Sequence, residues 1–344
     1  MPNQSRTVAY GRVHNLQIVS VTSLAQQKDG YWVMYTIPLN SSNIAITNIS
    51  SFIHGGAWRD PTVTTSSFDV TESILRETPG LPIAGFASIS YRLSSHPDHP
   101  QDPNTGPKDY RNAKHPDHIR DVEAALAFLQ NTYNFGGQYI LVGHSCGATL
   151  AFQVVMGAVS NHREQAFTGA SENPEISVGF VSVSPGPLPP PLTAQPTAIV
   201  GVAGIYDLRR LRDTHPDIDA YREFIEGAFG ADELVWDGVS PAQMAGSRGI
   251  EGGWKSGRLA VLAHSKEDEL VDESQTECME ETLRGWEKIE AQIPVQELSH
   301  RDRRVRVLPI GGAHDEAWEK GDQLAYAVIY ALEQLREMGL APQS

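Results

Sequence analysis

A serine stands at the centre of the sequence GHSCG, residues 143–147, which directly follows an apolar run ending at residue 142. G-x-S-x-G between a strand and a helix is typical of a nucleophile elbow, a tight turn that holds the serine hydroxyl clear of the sheet. The two glycines allow the close backbone approach that such a turn needs. The following helix would point its positive N-terminal end at the site. We therefore predict that Ser145 is a nucleophile.

A serine nucleophile needs a base, and the base needs a carboxylate that orients it. His314 is the expected base because it lies in a glycine-rich loop just after the strand-like run 305–310. The acid is expected between the two in the chain, where Glu267, Asp268, Glu269 and Asp272 follow another strand-like run. The spacing from Asp268 to Val271 resembles the turn H-G-x-x-D-x-x-V of many α/β-hydrolases, which favours Asp268. Glu267 and Asp272 stay as alternatives, and His264 is expected to be a structural residue at a strand end.

A third motif ends an apolar strand. It consists of His54, Gly55, Gly56, Ala57 and Trp58. An oxyanion hole needs two backbone N–H groups aimed at one point, and small residues let a substrate approach them. HGG-type segments supply such donors together with the residue that follows the nucleophile. We therefore expect the N–H groups of Gly56, Ala57 and Cys146 to form an oxyanion hole, with Cys146 contributing its amide and not its thiol.

These motifs must be positioned by regular elements, and short β-rich runs alternate with helical patterns along the chain. Strands are predicted at residues 31–37, 50–54, 85–91, 138–143, 198–202, 258–264 and 305–310. Helices are predicted behind Asp117, after Gly147, and across 272–292 and 321–338. This alternation predicts a mostly parallel sheet covered by helices on both faces. With the nucleophile elbow after one of its strands, it resembles the α/β-hydrolase fold.

Two stretches interrupt the alternation. Residues 94–114 are rich in Pro, His and Asp, and residues 182–196 contain PGPLPPPL. Each proline removes a backbone donor, so the second stretch can be neither a helix nor a central strand. We expect both to be loop insertions at strand ends, forming a rim or lid or simply inert loops, within a single domain that spans residues 1–344.

The overall composition excludes several classes of protein. The chain has 344 residues, 40% of them hydrophobic, and a net charge of −15. The negative charge opposes binding to nucleic acid and to anionic membranes. Two cysteines cannot make a disulfide framework, the N-terminus lacks the apolar stretch of a signal peptide, and no run reaches 18 apolar residues. We expect a cytoplasmic protein with a small-molecule partner.

Two copies of His-Pro-Asp-His raise the question of a metal. They contain His96, His99, His115 and His118. Imidazole and carboxylate are ligands that suit zinc, but no cysteine joins them and their spacing matches no known metal site. We therefore predict turn or rim structure here, and neither a metal nor a cofactor.

Several segments resemble the fungal kynurenine formamidases, also called arylformamidases. They are HGGAWRDP at 54–61, SYRLSSHP at 90–97, AKHPDHIRDV at 113–122, GHSCGATLA at 143–151 and GGAHDEAW at 311–318. The resemblance extends from about Phe52 to Trp318. It implies hydrolysis of N-formyl-L-kynurenine to L-kynurenine and formate in tryptophan degradation, without a cofactor and in many cases as a homodimer. It also implies that Ser145, Asp268 and His314 form the catalytic triad.

The substrate-binding residues are less defined by the sequence. Trp58 is expected either to stack on the aryl ring or to pack in the core. Arg59, Arg92 and Arg111 are candidates for the substrate carboxylate, with a structural role as the alternative. Two other functions stay open: a carboxylesterase or lactone hydrolase of a secondary-metabolite pathway, and a binding protein of this fold without catalysis.

Overall fold

A computed structural model describes residues 5–10, 18–22, 49–83, 85–157, 191–290 and 302–340. The strand predicted at residues 31–37 lies outside these ranges, as do residues 182–190 of the second loop insertion.

The central element is an eight-stranded sheet whose spatial order is β1-β2-β4-β3-β5-β6-β7-β8. The strands are β1 (Ser5–Ala9), β2 (Ile18–Thr22), β3 (Ile49–Ile53), β4 (Phe86–Ile89), β5 (Tyr139–His144), β6 (Ala198–Val202), β7 (Leu259–Ser265) and β8 (Arg304–Ile310). β2 pairs antiparallel with both β1 and β4, and the six strands from β3 to β8 are parallel. The predicted mostly parallel sheet is confirmed, but the sequence analysis missed β1 and β2, which are short runs of five residues each.

Ten α-helices lie in the described ranges. They are α1 (Asp69–Glu77), α2 (Asp117–Tyr133), α3 (Cys146–Gln153), α4 (Leu208–Thr214), α5 (Asp219–Phe229), α6 (Glu233–Val239), α7 (Ile250–Gly253), α8 (Glu273–Glu287), α9 (Glu316–Glu319) and α10 (Asp322–Glu337). The predicted helices correspond to α2, α3, α8 and α10. α8 begins behind Asp272, whose carboxylate accepts a hydrogen bond from the Ser274 N–H and caps the helix. Among the described helices, none has the length and apolar character that crossing a bilayer requires.

Helices cover both faces of the sheet. Tyr139 and Leu141 of β5 pack into a cluster with α2, α3 and α8, whereas Ile140 and Val142 pack on the other face with α1 and α10. Successive side chains of a strand point to opposite faces, so a strand buried on both sides reads as a continuous apolar run. This explains why the inner strands β5, β6 and β7 were recognisable in the sequence as largely apolar segments, whereas β8 carries two half-buried arginines.

The parallel strands bring the sequence motifs to one edge of the sheet. β3 lies beside β5, with Ile53 paired to Gly143, and β7 lies beside β8, with Ser265 paired to Ile310. The carboxyl ends of parallel strands meet at the same edge, where ligand sites of open α/β sheets are found. HGGAW, the elbow, the acidic turn and the His314 loop therefore emerge next to one another.

Candidate active site

The turn at Ser145 is strained and closely packed. Ser145 has φ 53° and ψ −125°, a conformation that side chains rarely adopt, and α3 begins at the next residue. The Ser145 N–H donates to the carbonyl of Val202 at 2.9 Å, which ties the turn to β6. A Cβ atom at Gly147 would lie 2.1 Å from the carbonyl oxygen of Ile53, so only glycine fits there. The two glycines of G-x-S-x-G thus have the steric role that the motif predicts.

The side chains of Asp268 and His314 form a buried hydrogen-bonded pair. Nδ1 of His314 lies 2.8 Å from Oδ2 and 3.0 Å from Oδ1 of Asp268, and the two side chains are 4% and 1% exposed, in that order. Oδ1 also accepts hydrogen bonds from the N–H groups of Leu270 and Val271. Burial by itself would raise the pKa of Asp268, but the hydrogen bond and charge of His314, together with these backbone donors, hold it below its ordinary value. Asp268 is therefore an ionised acceptor that fixes the ring of His314.

The other acidic side chains of this turn make different contacts. Glu267 accepts a hydrogen bond from the Gly312 N–H at 3.0 Å, and Glu269 accepts one from the His314 N–H at 3.1 Å. Asp272 caps α8 and accepts a hydrogen bond from the Thr214 hydroxyl. Glu267 and Asp272, the alternative acids from the sequence, thus do not contact the His314 ring in this structure.

His144, the second residue of the elbow motif, also contacts the His314 loop. Its Nε2–H donates to the carbonyl oxygen of His314 at 3.1 Å, and the two ring centroids are 4.7 Å apart. Burial lowers the pKa of His144 to about 3, so the ring is neutral. His264 lies buried at the end of β7, and burial lowers its pKa as well. The hydrogen bond and the ring contact of His144 with His314 were not anticipated from the sequence.

The HGGAW segment packs directly against the elbow. A Cβ atom at Gly55 would lie 2.9 Å from Nδ1 of His144 and 3.1 Å from Cβ of Ser145. Gly56, Ala57 and Trp58 follow with φ values of 88°, 47° and 59°. The carbonyl of Gly56 accepts the N–H groups of residues 59 and 60, both at 2.9 Å. The segment is thus a rigid, strained turn beside Ser145, of the kind that carries oxyanion donors.

Tyr91 packs against this turn, and the sequence analysis did not single it out as a site residue. Its hydroxyl lies 3.1 Å from the carbonyl oxygen of His54 and 3.2 Å from that of Gly55. Its ring stacks on His54 with centroids 4.4 Å apart. His54 is buried, which lowers its pKa to about 4, so a neutral ring lies in the stack. The only available signal was the position of Tyr91 within SYRLSSHP.

The thiol of Cys146 is buried behind the elbow. It accepts a hydrogen bond from the Trp58 N–H at 3.3 Å and lies 3.5 Å from the Tyr91 hydroxyl. Burial raises the pKa of Cys146 to about 11 against these opposing hydrogen bonds. A neutral, enclosed thiol is a poor nucleophile. The N–H of Cys146 is the first of α3 and has no acceptor within the helix.

Trp58 lies in the core and exposes no ring surface. Its ring meets Phe229 edge-on at 4.9 Å and Phe224 at 6.1 Å. Of the two expectations for Trp58, the structure favours core packing, and a substrate ring has no open face to stack on. Trp58 is buried because α5, which lies more than 160 residues away in the chain, packs against its ring.

The three candidate arginines are all paired with protein groups. Arg92 forms two hydrogen bonds of 2.9 Å with the carboxylate of Asp121, and Arg111 donates to the carbonyl of His99. Because Asp121 is buried, Arg92 is committed to a structural ion pair and does not fit the predicted role of substrate-binding residue. Arg59 forms an ion pair of 2.6 Å with Glu223, whose side chain is 53% exposed.

Helix α5 forms part of the surroundings of the site, although the sequence drew attention to residues 94–114 and 182–196 instead. The hydroxyl of Tyr221 donates to the carbonyl of Leu270 in the acidic turn at 2.6 Å, and Glu223 pairs with Arg59 beside HGGAW. The N–H of His115 donates to the carbonyl of Ala228. One short helix thus contacts the acidic turn, the HGGAW segment and the residue that directly follows the first loop insertion.

The His-Pro-Asp-His copies contain hydrogen-bonded and packed histidines. His118 lies 3.1 Å from the Ser94 hydroxyl, burial lowers its pKa to about 3, and His96 packs edge-on against His99. In the described part of the chain, neither copy belongs to a cluster of three or more metal-binding side chains. Such a cluster does occur at His144, His314 and Asp315, where Nδ1 of His314 already faces Asp268.

Comparison with known proteins agrees with this fold. The profile of the alpha/beta hydrolase family matches residues 52–325. The chain superposes on esterase B from Lactobacillus rhamnosis with a TM-score of 0.57 at 14% identity, covering 98% of this chain and 85% of that one. For esterase 2 of Thermogutta terrifontis the TM-score is 0.56 at 17% identity, with 99% and 97% covered. At these identities the structural likeness shows the fold alone.

Relatives of higher identity are fungal. A kynurenine formamidase-like hydrolase of Fusarium equiseti is 35% identical over 293 residues, which cover 84% of each chain. A kynurenine formamidase of Aspergillus versicolor is 33% identical over 89% of this chain and 90% of the relative. A kynurenine formamidase of Meyerozyma guilliermondii is 30% identical over 68% of this chain and 70% of the relative. The chain is therefore a hydrolase of the alpha/beta hydrolase family and belongs, within it, to the fungal kynurenine formamidase family.

Proposed function

We propose that this enzyme hydrolyses the formamide bond of N-formyl-L-kynurenine to give L-kynurenine and formate. The observation that carries the proposal is the contact of 2.8 Å between Asp268 and Nδ1 of His314, at the sheet edge where the strained turn presents Ser145. Such a carboxylate, imidazole and serine are the parts of a machinery for acyl transfer. The fungal relatives named kynurenine formamidase support the choice of substrate.

The mechanism proceeds through a formyl-enzyme. With Nδ1–H of His314 directed at Asp268, the free Nε2 takes the proton of Ser145 as the hydroxyl oxygen attacks the formyl carbon. The tetrahedral intermediate collapses when the C–N bond breaks and His314 returns the proton to the departing aryl nitrogen. Water then attacks the formyl-serine with His314 again as the base, which releases formate and restores the serine.

The negative oxygen of both tetrahedral intermediates rests on the N–H groups of Gly56, Ala57 and Cys146. The contact of Gly55 with His144 and Ser145 supports this assignment, because it brings the HGGAW turn against the elbow. Loss of one such donor typically costs about 3 to 4 kcal/mol of transition-state stabilisation. The reaction as written requires neither a metal nor a cofactor, since His314 carries each proton.

Arg59 is the residue proposed to bind the carboxylate of the substrate. It directly follows HGGAW, and its partner Glu223 is half exposed, so a substrate carboxylate can compete for the guanidinium. Arg59→Ala is expected to raise the KM for N-formyl-L-kynurenine by about tenfold. The KM for formanilide, which lacks the carboxylate, should stay unchanged. A single domain, a cytoplasmic location and a homodimer stay predictions.

The test is hydrolysis of N-formyl-L-kynurenine, followed by the absorbance of kynurenine, with p-nitrophenyl acetate and butyrate as comparison substrates. We expect wild-type kcat/KM of about 10⁴ M⁻¹s⁻¹ or more on the formamide. Ser145→Ala and His314→Ala should lower kcat by a factor on the order of 10³ or more. Ser73→Ala, which removes an exposed hydroxyl on α1, is the matched control and should act as wild type.

Each result has a defined meaning. Turnover of the esters alone, lost in Ser145→Ala, would support the nucleophile and reject the formamide substrate in favour of an esterase. Full activity of Ser145→Ala would reject the mechanism. Mass spectrometry of acid-quenched wild type should detect a formyl group on the peptide that contains Ser145.

A further inference from the structure

Three successive acidic residues of the turn after β7 contact the loop that carries His314. Glu267 binds the Gly312 N–H at 3.0 Å, Asp268 binds the His314 ring, and Glu269 binds the His314 N–H at 3.1 Å. Asp268 accounts for the orientation of the ring. The role of Glu269, whose side chain lies at the surface and reaches back to the backbone of the same histidine, is not explained by the triad alone.

The backbone carbonyl of His314 is held by the elbow. His144 donates its Nε2–H to the His314 carbonyl at 3.1 Å. Nδ1 of the same ring has no hydrogen-bond partner among the described residues and lies beside Gly55, which agrees with a single proton on Nε2. The N–H of His314 is thus bound from the acidic turn and its carbonyl from β5. His144 is the last residue of β5, and Glu269 lies in the turn that follows β7.

The other contacts of the loop lie before His314: the N–H of Gly311 donates to Gln323 at 3.1 Å, that of Gly312 to Glu267 and that of Ala313 to Glu316 at 3.4 Å. The loop follows β8, which is the last strand in the spatial order of the described sheet. It begins with Gly311 and Gly312, and Gly312 has a φ of 92°. Glycines leave the backbone many conformations, so the position of the following imidazole must be set from outside the loop. Proton transfer demands accurate placement, because a misplacement of about 1 Å can lower a rate by about a hundredfold.

We propose that Glu269 is a positioning residue for the reaction: with His144 it clamps the two backbone hydrogen-bonding groups of His314, so that the imidazole meets Asp268 and Ser145 together. This inference rests on the proposed role of His314 as the base. The N–H of His314 is a neutral donor, and the clamp therefore requires an acceptor oxygen at residue 269 and does not require a negative charge there.

The decisive comparison is between Glu269→Ala and Glu269→Gln. Alanine removes the acceptor, whereas glutamine keeps an oxygen at the same reach and removes only the charge. We expect Glu269→Ala to lower kcat for N-formyl-L-kynurenine by about 10- to 100-fold with KM within about twofold of wild type. Glu269→Gln should retain kcat within about threefold. Thermal unfolding should be nearly unchanged in both variants, because the side chain is at the surface.

Glu273→Ala and Glu273→Gln are the matched controls. Glu273 lies in the first turn of α8, its side chain is 55% exposed, and it faces Lys266 at 3.9 Å, so it carries the same charge without a contact to the His314 loop. Both control variants should have wild-type kcat. A loss of activity in Glu273→Gln equal to that in Glu269→Gln would indicate a general charge effect.

Three results would overturn the clamp. Wild-type kcat in Glu269→Ala would show that the contact does not position the base, and equal damage in Glu269→Gln and Glu269→Ala would assign the effect to charge. A fall in melting temperature that accompanies the loss of kcat would assign Glu269 to stability. Ser145→Ala and His314→Ala belong in the same series: if they retain activity, the proposed function has failed, and if they alone lose it, only the clamp has failed.

Discussion

The carboxylate of Asp268 lies 2.8 Å from Nδ1 of His314, although 46 residues separate the two in the chain. The pair connects the turn after β7 to the loop after β8, and the N–H groups of Leu270 and Val271 hold the carboxylate in place. Because the carboxylate is already bound on both sides, the imidazole ring is fixed before any substrate arrives.

The depressed pKa of Asp268 predicts a pH-dependent contribution to stability. Its folded-state pKa lies below the ordinary value of 3.8, so the charged form stabilises the folded state above that pH and the contribution is lost as the pH falls through the folded-state pKa. In urea titrations, the difference in unfolding free energy between wild type and Asp268→Asn should be largest near pH 7 and shrink below about pH 4. The exposed Asp217→Asn should show no such difference, and a gap for Asp268→Asn that widens in acid would contradict the assignment.

The two cysteines are expected to be inert in the folded enzyme. Burial raises the pKa of Cys146 to about 11 and that of Cys278 to about 12, so at pH 8 both thiols are almost entirely protonated. Iodoacetamide at pH 8 should label neither in the native protein and both in urea, as read by intact mass. Cys146→Ala should keep activity within about fivefold, since its backbone N–H remains. Rapid native labelling of Cys146 with loss of activity would instead indicate a reactive thiol.

Gly55 is expected to be required for activity. In Gly55→Ala the new Cβ would lie 2.9 Å from His144 Nδ1 and 3.1 Å from Ser145 Cβ, so the HGGAW turn or the elbow must shift. We expect kcat to fall by about a hundredfold and the unfolding free energy by about 1 to 3 kcal/mol. Gly311→Ala is the control, because a Cβ there meets no atom within 4 Å. Equal activity in the two variants would show that the contact with the elbow has no consequence for catalysis.

Arg92 is expected to affect stability and not substrate binding. Its guanidinium forms two hydrogen bonds with Asp121, whose side chain is 2% exposed, so Arg92→Ala removes the charged partner of a buried carboxylate and keeps the hydrogen bond from the backbone N–H of residue 92. The unfolding free energy should fall by about 3 kcal/mol, while KM stays unchanged at a temperature where the variant is folded. Arg76→Ala, which breaks an exposed pair with Glu72, should change it by about 0.5 kcal/mol or less. A raised KM in Arg92→Ala would restore the role in substrate binding that the sequence suggested.

The sequence by itself determined the fold class and the strand ends from which the motifs of the candidate site emerge. The inner parallel strands β5, β6 and β7 are largely apolar, and the elbow needs glycine at positions 143 and 147 because any Cβ there would strike backbone atoms, so both features are written into local residue types. The order of the motifs along the chain then predicted which strand ends would carry them. The strands β1 (SRTVA) and β2 (IVSVT) were missed because polar residues interrupt their apolar pattern, whereas β6 (AIVGV), of the same length, is apolar throughout.

The tertiary structure decided the partners of individual side chains. Four acidic residues crowd the turn after β7, and local sequence does not say that Asp268 meets the ring of His314 while Glu269 meets its backbone. Burial of Trp58 depends on Phe224 and Phe229 from α5, and the pairing of Arg92 depends on Asp121 from α2. Each of these contacts joins segments far apart in the chain, and it exists because folding brings their backbones together, which no single segment encodes.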